Sequence, residues 1–222
     1  MDAAPRAYDL RAEQPDPPAL AKQKHKIVNH KVVSRPWSTI TGVVLHQTDC
    51  VFGVTPQALT AAHGDVELAT ARRSLNVACH GLAFRNGFYA LPNPLAWYVW
   101  HANGLNATTL GLEIEGVYPG LDSGHAGAGD TPVTPLLIAT ARACLARLVT
   151  EARAAGAPLV NVYAHRQLSD TRRGDPGEAL WKAVALEYAV PVLGLKCHPA
   201  EVCGDGAPIP VEWDTVGGIG RY

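Results

Sequence analysis

Short runs of β-branched and other apolar residues alternate with helix-forming segments along this chain, and this alternation limits the possible folds more than any other feature. The runs at 40–48 (ITGVVLHQT) and 159–165 (LVNVYAH) are typical of buried strands, and each has a histidine near its carboxyl end. Asn86-Gly87 lies between two further apolar runs and predicts a hairpin. We therefore expect an α/β fold with a mixed central β-sheet flanked by helices.

Three segments carry the signals of helices. Two of them begin with threonine followed by proline, which provides a capping hydroxyl and a residue suited to the first turn. The third follows a Pro-Gly pair. We expect helices at 55–73, with a disturbance at Gly64, at 134–156 and at 176–188, and further strands at 27–33, 96–102 and 108–116.

A chain of 222 residues suits one domain with extensions. We expect a Pro-rich, charged amino-terminal arm at 1–26, a core domain at 27–190 and an irregular, Gly/Pro-rich carboxyl-terminal extension at 191–222. Cysteine usage leaves two alternatives. Cys197 and Cys203 pair if the protein meets an oxidising compartment, or all five cysteines are free thiols.

Charge and hydropathy exclude several classes of partner. With 19 basic and 20 acidic residues the net charge is -1, so we expect no nucleic-acid partner. No apolar run approaches the roughly 18 residues of a membrane span. The first residues contain no apolar core typical of a signal peptide, so we expect a soluble protein made in the cytoplasm.

One segment carries residues suited to metal chemistry. His165 ends a strand, and Asp175 follows ten positions later at the entrance of a helix. With His46, at the end of another strand, these residues provide two imidazoles and one carboxylate. That set leaves a fourth position open, as in catalytic zinc sites. The alternatives are that His46 is an ordinary buried histidine and that Asp175 caps the following helix.

Five segments in order along the chain give a more specific indication. The segments are VVLHQT, VACHGLAFRNG, YVWHANG, TLGLEIEG and AHRQLSDTRRGDPGEALW. They resemble the type 2 N-acetylmuramoyl-L-alanine amidases and the related peptidoglycan recognition proteins over roughly 40–190. The resemblance implies a catalytic domain with a central sheet, flanking helices and a zinc site in a surface groove. It also implies cleavage of the amide between N-acetylmuramic acid and L-alanine.

The resemblance assigns roles to particular residues. It implies that His46, His165 and Asp175 bind Zn²⁺ and that Glu113 is the catalytic glutamate, which moves protons between the attacking water and the leaving amine. Glu115 has the same strand direction as Glu113, so the strand period alone does not distinguish them.

One position departs from the family. Two residues before the aspartate, well-studied members have a lysine that is thought to stabilise the oxyanion, and this chain has Arg173. A guanidinium is permanently charged and donates hydrogen bonds, so we expect Arg173 to be catalytic. The adjacent Arg172 takes this role if the loop is shifted by one residue.

Aromatic and histidine side chains supply the remaining candidates. We expect His101 and Trp100 to bind substrate, with structural packing as the alternative for His101. His80 is expected to be structural or to support the site. A second metal site at His198 has no standard ligand spacing. Cys79 is rejected as a nucleophile because its neighbour His80 points to the opposite face of a strand.

The leading hypothesis is therefore a monomeric zinc amidase that acts on peptidoglycan or muropeptides. The main alternative is a peptidoglycan-binding module without hydrolysis, and a third is a zinc hydrolase of another amide. The setting is open between a phage endolysin, a recycling enzyme acting on cytoplasmic muropeptides, and an exported toxin. We favour the cell-wall-lytic, antimicrobial, endolysin-type role.

Overall fold

The protein is described by a computed structural model that covers residues 4–16, 18, 24–119 and 131–214. Within these residues the strands are β1 (Arg6–Asp9), β2 (Ile27–Val28), β3 (Lys31–Val32), β4 (Gly42–Gln47), β5 (Gly81–Ala83), β6 (Phe88–Leu91), β7 (Thr109–Ile114), β8 (Asn161–Ala164) and β9 (Lys196–Cys197). The helices are α1 (Pro56–Ala61), α2 (Val66–Ala71), α3 (Pro135–Ala154) and α4 (Glu178–Leu180), which continues as a π-helix over Trp181–Ala189. Short 3-10 turns occupy Arg11–Glu13, Trp37–Thr39, Arg72–Asn76, Asn103–Leu105, His165–Leu168, Asp170–Arg172 and Val211–Trp213.

Seven of these strands form one mixed sheet in the order β1-β6-β5-β7-β4-β8-β9. Only β5 and β6 pair in antiparallel fashion, through the hairpin predicted at Asn86-Gly87. The other neighbouring strands of this sheet are parallel. The predicted α/β class with a mixed central sheet is therefore confirmed.

The central strands present an apolar face to the helices. Side chains that alternate along β4, β7 and β8 pack with α3 and the π-helix in the main hydrophobic core. Burial of these side chains is the main stabilising contribution to such a layered fold. The opposite face of the same strands is covered by loop 96–108 and by part of the carboxyl-terminal segment, and this face carries the polar residues described below.

The expected helix signals act as predicted. The Thr134 hydroxyl accepts a hydrogen bond from the Leu137 N–H at 3.2 Å, and Gly156 ends α3 with a φ of 92°. The expected helix at 55–73 is interrupted at Gly64, whose φ is 85°. Asp65 then caps a new helix, α2. No helix among the described residues is both long and apolar enough to cross a membrane.

Two expected strands differ from the structure. Residues 27–33 form the β2–β3 hairpin, because Asn29 and His30 adopt positive φ values of 49° and 62° and reverse the chain. Residues 96–102 make isolated bridges, Ser34 with Trp97 and His25 with Val99, and join no strand of the sheet. The segment bends at 100–102, and its residues Val99 and Ala102 are buried without joining the sheet.

Parts of the expected arm and extension belong to the core. Strand β1 pairs with β6, and Tyr8 and Leu10 are buried against Phe88 and its neighbours. At the other end β9 pairs with β8, and Trp213 is fully buried. Composition misses these contacts because short edge strands depend on distant partners. The domain boundaries stay a prediction. All five cysteines lie among the described residues, and none forms a disulfide.

Truncation of Leu10 tests whether the amino-terminal segment contributes to stability. Leu10 is only 3% exposed, so we expect Leu10→Ala to lower the free energy of unfolding by about 2–4 kcal/mol, as for other buried leucines. Ala12→Ser, at an exposed position two residues further on, is the control and should change it by less than about 0.5 kcal/mol. Equal denaturant midpoints for the two variants would show that this segment is dispensable.

Candidate metal centre

Three parallel strands carry the candidate site at their carboxyl ends. The register of β4 and β7 places His46 opposite Glu113, so both side chains lie on the same face of the sheet. On the other side of β4, Leu45 pairs with Ala164, which places His165 beside His46. Strand pairing therefore brings together residues that lie far apart in sequence.

Asp175 completes a cluster with the two histidines. One potential ligand atom from each of His46, His165 and Asp175 lies within 4.8 Å of the others. His165 Nδ1 is 2.9 Å from Asp175 Oδ2, and the rings of His46 and His165 have centroids 4.3 Å apart. The structure therefore brings together the three residues that the sequence predicts to bind zinc.

Gln47, the last residue of β4, holds Asp175 in this place. Its backbone N–H donates to Asp175 Oδ1 at 2.8 Å. Its side-chain amide donates to the carbonyls of Gly174 and Tyr118, at 3.2 and 3.1 Å. The cap of α4 is Gly177 without a side-chain bond, so Asp175 is not the helix cap. Sequence reasoning missed Gln47, for which the only signal is its place directly after His46.

A chain of hydrogen bonds fixes the tautomer of His46. His101 Nε2 lies 3.3 Å from the Thr109 carbonyl, which only accepts, so Nε2 carries the proton. Burial lowers the pKa of His101 to about 3, and the ring is neutral. Its bare Nδ1 therefore accepts from His46 Nε2, at 3.2 Å. This network assigns the proton of His46 to Nε2 and leaves the lone pair of Nδ1 for a ligand.

The surroundings of His101 favour a supporting role over the substrate contact expected from the sequence. The residue is 8% exposed, and protein groups engage both ring nitrogens. Its ring fits against β7 because residue 111 is glycine. A Cβ there would lie 2.8 Å from His101 Nδ1. Substrate binding by His101 stays a prediction.

His80 and Arg35 lie behind His101. The Gly111 N–H donates to His80 Nδ1 at 3.0 Å, so the proton is on Nε2, which donates to the Trp97 carbonyl at 3.1 Å. Arg35 donates to the carbonyls of Asn106 and Thr109 and is buried, and burial lowers its pKa to about 10. These contacts agree with the structural or supporting role expected for His80.

Glu113 and Glu115 have different surroundings. Glu115 accepts hydrogen bonds from the backbone N–H groups of Phe52 and Arg85, at 2.7 and 3.0 Å, and so holds two loops. Glu113 Oε2 is buried and has no hydrogen-bond partner among the described residues. Burial, and then the charge of Asp175, raises the pKa of Glu113 well above its usual range.

Two cations that lie far apart in the sequence affect the pKa of Glu113. The charges of Arg172 and Lys24 both lower its pKa, and the Arg172 charge also lowers the pKa of His46. Arg173 is not among the charges that act most strongly on either group. Its side chain is exposed, and its carbonyl accepts from Arg166. Both side chains are exposed, so only the charge effects favour Arg172 over Arg173 as the cation next to the site. In the sequence Lys24 belongs to a basic cluster with Lys22, Lys26 and Lys31, a pattern typical of a solvated face, which does not predict its effect on the site.

The remaining candidates lie outside the cluster. Trp100 is 43% exposed, and its ring contacts that of Tyr98 with centroids 4.8 Å apart. It is thus accessible, and its role in substrate binding stays a prediction. His198 bonds to Asn161 Oδ1 at 2.9 Å and stacks on Tyr163. It belongs to no metal-binding cluster among the described residues.

The fold and the cluster define an α/β protein with a His-His-Asp candidate metal centre at the carboxyl edge of its sheet. The sequence profile of the N-acetylmuramoyl-L-alanine amidase family (Amidase_2) matches residues 36–178, well over half of the chain. The chain belongs to this family.

Several solved structures are similar. The endolysin amidase LysCS from Clostridium intestinale has 17% identity and a TM-score of 0.49, covering 88% of this chain and 100% of its own. Drosophila peptidoglycan recognition protein SD has 19% identity and a TM-score of 0.46, with coverage of 73% and 87%. The endolysin of Thermus scotoductus bacteriophage Ph2119 has 14% identity and a TM-score of 0.45, with coverage of 80% and 98%. No curated protein sequence matches the chain.

The buried histidines predict a dependence of stability on pH. Burial, and then the Arg35 charge, holds the pKa of His80 well below its ordinary value of 6.5. Below about pH 6.5 the unfolded chain binds a proton at this residue that the folded chain does not, so the free energy of unfolding falls as the pH falls.

We therefore expect His80→Gln to reduce the slope of unfolding free energy against pH, measured between about pH 6 and pH 4 with chelator present. The reduction is at most about 1.4 kcal/mol per pH unit for one proton. His63→Asn, at an exposed histidine, should keep the wild-type slope. A wild-type slope in His80→Gln would contradict the assignment.

Proposed function

We propose that this protein is a zinc-dependent amidase that hydrolyses the bond between N-acetylmuramic acid and L-alanine in peptidoglycan or muropeptides. The observation that carries the proposal is the convergence of His46, His165 and Asp175 beside Glu113 at one edge of the sheet. Membership of the amidase family supports the reaction type.

The donor set fits zinc. Two imidazole nitrogens and one carboxylate oxygen are the ligands of many catalytic zinc sites. One potential donor atom from each of the three residues lies within 4.8 Å of the others, so all three would reach one ion. The lone pair of His46 Nδ1 supplies the third donor.

Glu113 is the group placed to move protons. When bound, zinc supplies a water of lowered pKa and polarises the amide carbonyl. Glu113 takes a proton from the attacking water and delivers it to the leaving amine of L-alanine. The absence of a hydrogen-bond partner for Glu113 Oε2 in the described part of the chain supports this role, because no neighbour competes for the proton.

A cation is needed where negative charge develops on the carbonyl oxygen. The family resemblance assigns this role to Arg173, whereas the electrostatics of the site favour Arg172. A guanidinium there donates hydrogen bonds to the oxyanion without a change in its own protonation. The endolysin-type setting, the monomeric state and the release of the protein from the cytoplasm stay predictions.

Digestion of purified peptidoglycan tests the reaction. We expect wild-type protein to release stem peptides that begin with L-alanine, detected by mass spectrometry, and we expect a chelator to abolish release until zinc is restored. Glu113→Gln keeps the size of the side chain but removes the base, so the rate should fall by about 10²–10⁴ while zinc still binds.

Glu178→Gln, on the first turn of α4, is the matched control and should keep the wild-type rate. Sacculi that retain the protein but release no peptide would contradict the amidase and favour the peptidoglycan-binding module. Turnover of other amides alone would favour a different substrate.

The two arginines are distinguished by paired substitutions. We expect Arg172→Ala to lower kcat by about 10²-fold or more, because one oxyanion donor is lost, and Arg173→Ala to lower it by less than tenfold. Arg172→Lys should recover part of the rate since it keeps the charge. The measurement is steady-state kinetics on soluble muropeptides. A larger loss of kcat in Arg173→Ala than in Arg172→Ala would assign oxyanion stabilisation to Arg173.

A further inference from the structure

The carboxyl-terminal segment lies directly against the turn that follows the metal-binding strand. Backbone N–H groups of Cys203 and Ala207 donate to the carbonyls of Gln167 and Arg166, at 2.9 and 2.8 Å. In return the Gln167 side chain donates to the carbonyls of His198 and Glu201, at 2.6 and 2.9 Å. Residues 198–209, named here the clamp segment, therefore fix the backbone immediately after His165.

Gly206 allows this close approach. A Cβ at this position would overlap the carbonyl group of Gln167 and would lie 2.6 Å from the Leu168 nitrogen. These are backbone atoms, which cannot rotate away as a side-chain tip does. Any larger residue at 206 therefore pushes the clamp segment and the 166–168 turn apart.

Arg166 connects the clamp segment to both candidate ligands. Its Nε donates to the Pro208 carbonyl at 2.9 Å, and its Nη1 donates to the Arg173 carbonyl in the turn before Asp175. Its backbone N–H donates to the Asp175 carbonyl at 3.1 Å. The guanidinium also lies over the Trp213 ring, 5.0 Å from the centroid. Arg166 thus joins three parts of the chain: the turn that follows His165, the loop that contains Asp175, and the carboxyl-terminal segment.

We propose that the clamp segment and Arg166 position His165 and Asp175 for metal binding, so that residues outside the family-matched region form part of the metal site. This inference rests on the proposed zinc site. The backbone N–H of Gln47 holds the Asp175 side chain. The clamp segment holds the turn that follows His165. Outer groups that orient ligands typically contribute 10–100-fold to metal affinity.

The test is the zinc affinity of the metal-free protein, measured by competition with a chromophoric chelator. We expect Gly206→Ala to weaken zinc binding by about 10–100-fold. Asp205→Ala, at the exposed neighbouring residue, should leave it unchanged. The visible spectrum of the cobalt-loaded protein should also shift in Gly206→Ala, because the ligand geometry changes.

A second variant keeps the inference falsifiable if Gly206→Ala does not fold. Arg166→Lys retains the charge but cannot reach the Pro208 and Arg173 carbonyls together, so zinc affinity should again fall at least tenfold. Leu10→Ala, which lowers stability at the far edge of the sheet, controls for a general loss of stability and should bind zinc as wild type does.

The outcomes separate this inference from the proposed function. Folded Gly206→Ala and Arg166→Lys proteins with wild-type zinc affinity and cobalt spectrum would overturn the clamp and leave the amidase proposal standing. Wild-type protein that binds no zinc would overturn both. If Leu10→Ala weakened zinc binding as much as Gly206→Ala does, a general loss of stability would explain the effect, and the positioning role would be overturned.

Discussion

The parallel pairing of β4 with β7 and β8 is the constraint on which the rest of the site depends. Its register places His46 between Glu113 and the turn that begins at His165. Side chains alternate between the faces of a strand, so a slip of one residue would turn His46 towards the helices. The apolar residues on the helix-covered face therefore fix the polar residues on the other face. In this fold the hydrophobic core therefore determines the geometry of the candidate metal centre.

Local signals in the sequence predicted much of this arrangement. The strand that carries His46 and the strand that ends just before His165 are each indicated by a short apolar run. The cap at Thr134 and the stop at Gly156 are indicated because capping depends on a few adjacent residues. The resemblance to the amidases supplied what local signals lack, namely which histidines among nine belong together. The structure then places all three expected ligands within reach of one ion.

The features that sequence reasoning missed all depend on contacts between distant segments. Strand β1 has four residues in a polar, Pro-rich context, and only its pairing with β6 makes it part of the sheet. Gln47 and Arg166 look like ordinary polar residues until the loops they join are known. The segment 96–102 is the opposite case. Its apolar residues are typical of a strand, yet they pack on the sheet without joining it. Apolar side chains are buried in both arrangements, so the pattern does not distinguish them.

Burial and neighbouring charges set the ionisation of the residues in the candidate metal centre. Burial lowers the pKa of His46 and of His101, and burial together with the charge of Asp175 raises the pKa of Glu113. Arg172 and Lys24 offset only part of that rise, because Glu113 still has a pKa well above its usual range. In the proposed zinc enzyme, His46, His165 and Asp175 would hold a divalent cation, whose charge would favour the ionised form of Glu113 that a base requires. On this proposal the activity of Glu113 would depend on the ion. Positioning of the ligands by Gln47 and the clamp segment would then matter for proton transfer as well as for affinity.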